Sequence, residues 1–199
     1  HIVAWANITD TINEVSYGAP ALDNCAIRFR NINDTYPDYL FFGESVITNL
    51  HKEGKVHEVD LFPKMSSVNV TIIGLDQVYP DLSGLELEVG KTKSEFDFHA
   101  NTIGNLISYY PQLKQTNKAD ALSTKIFHVV PSEEGSPLRL NLYKKGEILL
   151  STDNDGRGTY FDAPSGKFLN ITIRFNSETD IYITVTINPW KMVEQDIEF

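Results

Sequence analysis

The chain has 199 residues, with 17 Lys and Arg against 27 Asp and Glu, and a formal net charge of -10. A charge of that sign repels phosphate backbones and anionic membrane surfaces, which argues against nucleic acid and membrane lipid as partners. The single cysteine, Cys25, excludes an intramolecular disulfide and a cysteine-rich zinc site.

The first part of the chain is predicted to form short strands separated by polar loops. Apolar and polar residues alternate here, as they do to the end of the chain, and this pattern favours half-buried strands. The strands are HIVAWANI, CAIRFRNI, YLFFGESV and KVHEVDLF, the last running into SSVNVTIIGL. A closed sandwich usually needs about seven strands. We therefore expect this block to be an incomplete domain or to borrow strands, and we expect the natural chain to begin upstream of His1.

The segment YPDYLFFGES is dense in aromatic residues, namely Tyr36, Tyr39, Phe41 and Phe42. Alternation along a strand buries some of these rings and exposes others, and an exposed aromatic platform is one way in which a β-sandwich holds sugar rings. The simpler alternative is that all four rings pack beneath a loop. We treat the four, with Trp190 near the end of the chain, as candidate ligand or interface residues.

A domain boundary is predicted where turn-forming residues separate two good strands. The segment GLDQVYPDLSG stands between SSVNVTIIGL and GLELEV. The sequence thus predicts an N-terminal β-sandwich domain over residues 1–75, incomplete, and a C-terminal β-sandwich domain over residues 76–199. Residues 99–121 are polar and lack sustained periodicity, so we expect a long ordered connection there.

Two β-hairpins are predicted in the second half of the chain. LRLNLYKKGEILLSTD forms the first around Lys145 and Gly146, because glycine accepts the positive φ of a tight turn. The second joins FLNITIRFN to DIYITVTIN. Four alternating residues of its last strand are expected to face the core, namely Ile181, Ile183, Val185 and Ile187. Pro189 is expected to end the pairing, with Trp190 as a lid over the core or an interface residue.

Signals for catalysis or metal binding are weak throughout the chain. The five histidines lack metal-binding spacing, and no GxSxG, GxGxxG or phosphate-loop pattern occurs. Asp153 and Asp155 have the spacing that opens a calcium loop, but Arg157 stands where a further oxygen ligand is required. A turn explains that segment more simply, and cation binding by the two aspartates stays open. We predict no catalytic, cofactor-binding or metal-binding residues.

Several segments together resemble the FimB-type family, the fimbrillin-like anchor and accessory subunits of the surface fimbriae of Bacteroidales-type bacteria. The resemblance lies in HIVAWANITD, in YLFFGES and VDLFPKMSSVNVTIIGL, in LRLNLYKKGEILLSTD, and in the closing FLNITIRFNSETDIYITVTINPW. It implies an all-β fold of tandem transthyretin-like antiparallel β-sandwiches, the first lacking its N-terminal strands. It also implies a precursor that continues upstream of His1 with a signal sequence, a lipidated cysteine and early strands.

The function that the resemblance implies is that of a non-enzymatic structural and adhesive subunit of a bacterial surface pilus, a fimbrial anchor or accessory protein. Other fimbrial subunits are the implied partners, no cofactor is implied, and the protein is expected at the cell surface, in the fimbrium or at the outer membrane. Membrane contact is expected only through an upstream lipid anchor of the lipoprotein.

Assembly is expected to proceed by β-strand complementation, in which an added strand completes a neighbouring subunit's sheet. A host or bacterial surface protein or glycan is a further candidate partner. The alternative function is that of a cell-surface carbohydrate-binding β-sandwich module, which would need exposed aromatic side chains.

Overall fold

The computed structural model describes residues 2–8, 13–16, 25–29, 37–46, 58–118 and 120–189. Over these residues the chain is almost entirely β-structure, which confirms the all-β prediction. The strands are, in chain order, β1 (Ile2–Ala6), β2 (Asn13–Ser16), β3 (Ala26–Phe29), β4 (Phe41–Ser45), β5 (Phe62–Pro63), β6 (Ser66–Ile73), β7 (Leu85–Asp97), β8 (Thr102–Tyr109), β9 (Leu113–Gln115), β10 (Ala121–Thr124), β11 (Phe127–Val129), β12 (Arg139–Lys144), β13 (Glu147–Thr152), β14 (Lys167–Phe175) and β15 (Ile181–Pro189). The one helix of these ranges, α1, is a single turn over Leu75–Val78, and no helix there is long and apolar enough to cross a membrane.

The strands form three sheets. The small sheet has the order β1-β4-β5. The spanning sheet has the order β13-β12-β7-β3-β2, and β8 pairs with the opposite edge of β7. The mixed sheet has the order β15-β14-β6-β10-β9, and β11 also pairs with β6. The middle strands of the two large sheets are therefore β7 and β6.

The mixed sheet and one part of the spanning sheet enclose the larger core. Alternate residues of each strand point inward, as Val68, Val70 and Ile72 do on β6. Leu87 and Val89 of the spanning sheet belong to the same buried cluster. Burying one such side chain stabilises the fold by about 1.5 to 3 kcal/mol.

A smaller core lies between the small sheet and the far end of the spanning sheet. Its buried members are Ile27, Phe29, Tyr39, Leu40, Met65, Phe96 and Val130, with Trp5, Ile8 and Phe41 packed against them. Strand β7 supplies Phe96 and pairs with β3 through Ile27. The described N-terminal strands are too few to form a sandwich by themselves. The end of β7 completes this part of the structure by pairing with β3.

The strand pairing crosses the predicted boundary at residue 75 in both directions. Strand β6 precedes it and pairs with β10, β11 and β14, whereas β7 follows it and pairs with β3. Turn-forming residues report only on the local chain. They therefore do not indicate which distant strands pair with each other. The division into residues 1–75 and 76–199 stays a prediction, as does the transthyretin-like arrangement.

One pair of strands departs from the predicted antiparallel pattern, because β6 and β14 run parallel. Alternation of apolar and polar residues does not report strand direction. The described chain between these two strands forms seven other strands and a helical turn, which provides the long connection that a parallel pair needs. The register places Asn69 beside Asn170 and Thr71 beside Thr172.

The prediction of a connection over residues 99–121 is wrong, because β8 and β9 lie within it. Gly104, Asn105 and Leu106 are three successive exposed residues of β8. Buried and exposed positions therefore do not alternate along this strand, and its sequence lacks the period-two pattern of apolar and polar residues. The pairing of β8 with β7 also shifts register twice. Such irregularities reverse which side of the sheet a residue faces and remove the periodic signal.

Both predicted hairpins form. In the first, Lys145 has φ 51° and Gly146 has φ 84°, the two positive values that a two-residue turn between twisted strands requires. In the second, β14 and β15 pair along nine residues of each strand. Pro189 still pairs with Lys167 and is the last described residue.

The inward-facing side of β15 is only partly buried. Ile183 is 8% exposed, in agreement with the prediction, but Ile187 is 41% exposed. Ile187 is exposed because β15 is the outermost strand of the mixed sheet among the described residues. Trp190, the predicted lid, lies outside the described residues.

Candidate functional site

An aromatic row crosses the small sheet from one edge to the other. Trp5 of β1 is paired with Phe42 of β4, and Phe42 is paired with Phe62 of β5. The rings of Trp5 and Phe42 are tilted against each other with centroids 5.0 Å apart. Phe62 is 65% exposed. We call these three residues the aromatic row.

One end of the aromatic row is fixed by the interior of the protein. The Trp5 indole donates a hydrogen bond from Nε1 to the carbonyl oxygen of Phe98 at 3.2 Å, and its ring lies 5.6 Å from that of Phe96. Trp5 is partly buried, and an apolar ring packed against a core with its N–H hydrogen-bonded is a typical arrangement for tryptophan. The row therefore begins in the smaller core and ends at the exposed Phe62.

A lysine lies over the middle of the aromatic row. Lys64 follows Phe62 by two residues, the spacing that places side chains on the same side of an extended chain. Its Nζ is 5.4 Å from the centroid of the Phe42 ring, within the range of a cation–π interaction. The backbone N–H of Lys64 donates to the carbonyl of Leu40 at 2.9 Å, which ties this segment to the smaller core.

Next to the aromatic row lies a cleft of about 420 Å³. It is lined by Lys64, Phe96, Ala100, Asn101, Thr102, Pro131, Glu133 and Ser165. These residues come from four parts of the chain: the β5–β6 connection, the β7–β8 hairpin with its turn, the segment after β11, and the loop before β14. Five of the eight side chains are polar, and one cation and one anion are among them.

The turn that forms one wall of the cleft is held by a single aspartate. The Asp97 carboxylate accepts hydrogen bonds from the backbone N–H of Asn101 at 2.8 Å and from its side-chain Nδ2 at 2.7 Å. Ala100, inside this turn, has φ 62°, a left-handed conformation that costs a non-glycine residue about 1 to 2 kcal/mol. The turn geometry is thus determined by these bonds and presents the small Ala100 side chain to the cleft.

The other walls of the cleft are tied to the sheets by hydrogen bonds. Thr102 donates from Oγ1 to the Glu133 carboxylate at 3.2 Å. The Ser165 hydroxyl lies 3.1 Å from the carbonyl oxygens of both Pro63 and Lys64, to which it donates. The cleft is therefore bounded by ordered segments of both large sheets.

The predicted aromatic residues take different positions. Tyr39 is buried in the smaller core, with its ring 5.4 Å from Phe41 and 4.8 Å from His128. Burial raises the pKa of Tyr39 to about 12. Phe41 is half-buried against the same core, whereas Phe42 belongs to the aromatic row. Tyr36 and Trp190 lie outside the described residues.

Phe62 is the exposed aromatic residue that the sequence pattern did not indicate. Strand β5 has two residues and ends at Pro63, so it is too short to show alternation. The one signal in the sequence was the apolar pair Leu61 and Phe62 inside a polar stretch. Register, which places Phe62 beside Phe42, cannot be read from one strand alone.

The Asp153 to Tyr160 segment forms a turn stabilised by its own hydrogen bonds. Asp155 accepts from the backbone N–H groups of Arg157 at 2.8 Å and Thr159 at 2.9 Å. These backbone hydrogen bonds lower the pKa of Asp155 below its ordinary value. Within the described ranges, no three His, Cys, Asp or Glu residues are grouped so that they could hold a metal ion.

The two large sheets each have an edge strand from the second half of the chain. Strand β15 is outermost in the mixed sheet and β13 is outermost in the spanning sheet, counting the described residues alone. Each exposes an apolar side chain, with Ile187 at 41% and Ile148 at 60% exposure. The guanidinium of Arg157 lies 4.4 Å from the centroid of the Tyr182 ring on β15. The segment after β13 therefore reaches the edge strand of the opposite sheet.

Comparison with known proteins gives a consistent result. A sequence model of one family, the fimbrillin-A associated anchor proteins Mfa1 and Mfa2, matches residues 1–196. Two forms of the major fimbrium anchoring subunit FimB of Porphyromonas gingivalis are each 28% identical, over 99% and 97% of this chain. The chain spans 68% and 66% of their respective lengths.

The fold is also shared with a solved structure. The fimbrial anchor protein Mfa2 of Porphyromonas gingivalis superposes with a TM-score of 0.62 at 18% sequence identity. The superposition covers 94% of this chain and 74% of the Mfa2 chain. At that identity the likeness concerns the fold alone.

Proposed function

The chain belongs to the family of fimbrillin-A associated anchor proteins, and we propose from that premise that it is a non-enzymatic structural and adhesive subunit of a bacterial surface fimbrium. The observation that carries the proposal is the extent of the family match, which runs along residues 1–196. FimB, described as a major fimbrium anchoring subunit, aligns along nearly all of the chain. The partners proposed are the other fimbrial subunits.

The proposed location is the cell surface, with the fimbrium held at the outer membrane by a lipid anchor that precedes this part of the lipoprotein. The net charge of -10 repels an anionic lipid surface, which favours attachment through such an anchor over direct contact with lipid headgroups. The proposed role in adhesion needs no catalytic group.

Assembly is proposed to occur at the edge of β15, which is the outermost strand of the mixed sheet among the described residues. An outermost strand presents unpaired N–H and C=O groups that accept a further strand. The edge is nine residues long, and its inward-facing side carries Ile187, which is 41% exposed. A strand from another subunit would extend the mixed sheet and cover this side chain.

A charge placed on the inward side of β15 tests the proposal. Ile187→Lys directs a cation towards the interface that an added strand would form, and such inward-pointing charges block edge pairing. We expect at least about a tenfold loss of the other fimbrial subunits that co-purify with the protein from the cell surface. Thermal stability of the isolated variant should change little, since Ile187 is 41% exposed.

The matched control is Thr186→Lys, which places the same charge on the adjacent residue, facing the opposite side of the sheet. This variant should retain its partner subunits. Equal retention by Ile187→Lys would exclude β15 as the assembly edge. Absence of fimbrial subunits from the purified wild-type protein would instead overturn the fimbrial role itself.

A further inference from the structure

We propose that the aromatic row and the adjacent cleft together form a binding site for an uncharged saccharide. The inference rests on the adhesive part of the proposed function, and it assigns that adhesion to particular residues. Neither the row nor the cleft takes part in the edge pairing proposed for assembly. The two proposals therefore concern different surfaces of the molecule.

The shape and the lining of the cleft suit a small polyhydroxylated ligand. Its volume of about 420 Å³ falls within the range of small-molecule sites, about 300 to 1,000 Å³. Lys64 and Asn101 offer N–H donors, and the Glu133 carboxylate offers an acceptor. Sugar hydroxyls both donate and accept hydrogen bonds, so a lining with both kinds of group complements them.

Part of the cleft is apolar, which matches the other face of a sugar ring. The apolar lining is narrow, because Phe96 and Ala100 are 1% and 7% exposed and Pro131 is buried. A pyranose ring has C–H groups that pack against such surface while its hydroxyls point to the polar walls. A compact inorganic ion would leave this apolar surface unused.

The exposed end of the aromatic row extends the site beyond the cleft. Phe62 is 65% exposed, and the paired Phe42 lies beneath Lys64, a residue that also lines the cleft. Large apolar side chains exposed beside a polar groove indicate a binding surface. The Phe62 ring, which is 65% exposed, provides flat surface on which a second sugar unit can stack while the first occupies the cleft.

Charge decides which class of saccharide fits. The cleft contains one cation, Lys64, and one anion, Glu133, so its walls carry no net charge at neutral pH. The whole chain carries -10 and repels polyanionic glycans. An uncharged oligosaccharide is therefore favoured over one built from uronic acids or sulfated sugars.

Other exposed aromatic side chains lack these surroundings. The Tyr182 ring is covered by the Arg157 guanidinium at 4.4 Å. Tyr160 is 51% exposed but lies in the segment between β13 and β14, and it does not line the cleft. Tyr160 therefore serves as a matched control for the loss of an exposed ring.

The experiment measures binding of the full chain to immobilised neutral oligosaccharides of glucose, galactose, mannose and N-acetylglucosamine, with hyaluronan and alginate as anionic probes. We expect retention of at least one neutral probe and of neither anionic one. Phe62→Ala and Glu133→Gln should each weaken that binding by about tenfold or more. Tyr160→Ala should bind as the wild type does.

Three results would overturn the saccharide proposal. They are the absence of binding to every neutral probe, binding to the anionic probes alone, and undiminished binding by both Phe62→Ala and Glu133→Gln. Both substituted side chains are exposed, so folding of the variants is checked by an unchanged thermal midpoint. None of these results alters the co-purification of fimbrial subunits, so failure here is distinct from failure of the fimbrial role.

Discussion

At the scale of single residues, Tyr109 joins the two cores. Its ring is fully buried in the larger core, and its hydroxyl oxygen accepts a hydrogen bond from the backbone N–H of Val130 at 3.3 Å. Val130 belongs to the smaller core, and Thr92 of β7 donates to the same oxygen at 3.2 Å. Burial raises the pKa of Tyr109 to about 12.

Replacing Tyr109 with phenylalanine should destabilise the protein at neutral pH. The Val130 N–H would lose its acceptor while buried, which costs about 1 to 3 kcal/mol of unfolding free energy. Urea unfolding at pH 7 measures the difference. Tyr160→Phe is the control, because Tyr160 is exposed and its replacement should leave the unfolding free energy unchanged.

The difference in stability between the wild type and Tyr109→Phe should also depend on pH. The pKa of tyrosine in an unfolded chain is close to the ordinary value of 10.0, whereas burial raises the pKa of folded Tyr109 to about 12. The unfolded state therefore releases this proton first, and wild-type stability falls as pH rises from 10 to 12. Tyr109→Phe should show a smaller fall over that interval. An identical alkaline profile for variant and wild type would contradict this assignment.

The aromatic candidates illustrate what sequence can predict about a site. Two of the aromatic residues of YLFF, Phe41 and Phe42, lie on β4, and Phe42 belongs to the aromatic row, while its contact with a ligand stays a prediction. Tyr39 instead fills the smaller core, since burial depends on which distant elements cover a segment. Phe62 and the cleft residues come together through pairing between strands far apart in sequence, which single-strand patterns do not contain.

At the scale of elements, β15 shows how position in a sheet modifies a periodic pattern. Its apolar residues alternate regularly, yet their burial ranges from Ile183 at 8% exposure to Ile187 at 41%. Alternation therefore predicted the strand and its inward side correctly. It could not predict that the strand lies at an edge, because edge position depends on the partners that the other strands choose.

Truncation of the two isoleucines should reveal that difference. Ile183→Ala is expected to cost about 2 to 5 kcal/mol of unfolding free energy, because it opens a cavity in the larger core. Ile187→Ala should cost less than about 1.5 kcal/mol, because much of its surface is already in water. Equilibrium urea unfolding of both variants gives the comparison. Equal losses would mean that Ile187 is covered as deeply as Ile183.

At the scale of the whole molecule, the two cores share one strand. Leu85 to Gly90 of β7 pair with β12 beside the larger core, and Ala26 to Arg28 of β3 pair with the other end of β7 beside the smaller one. The sequence indicated two blocks of strands, each with its own apolar residues. It did not indicate a shared strand, because GLELEVGKTKSEFD shows regular alternation only in its first half.

Because β7 belongs to both cores, we expect the described parts of the chain to unfold as one unit. The chain has two tryptophans, so Trp190→Phe leaves Trp5 as the reporter of the smaller core. Trp5 fluorescence and far-UV circular dichroism should follow the same urea transition. Two separate transitions would show that the cores are independent, and would support a domain division near residue 75.

The continuity of β7 also has a mechanical consequence. With thirteen residues, the strand extends for about 43 Å at roughly 3.3 Å per residue. Tension applied to one core is transmitted to the other along covalent bonds, without a linker that could stretch first. Pulling the cores apart would require the strands beside β7 to slide along it, breaking many hydrogen bonds together. We therefore expect the two cores to resist separation as one unit.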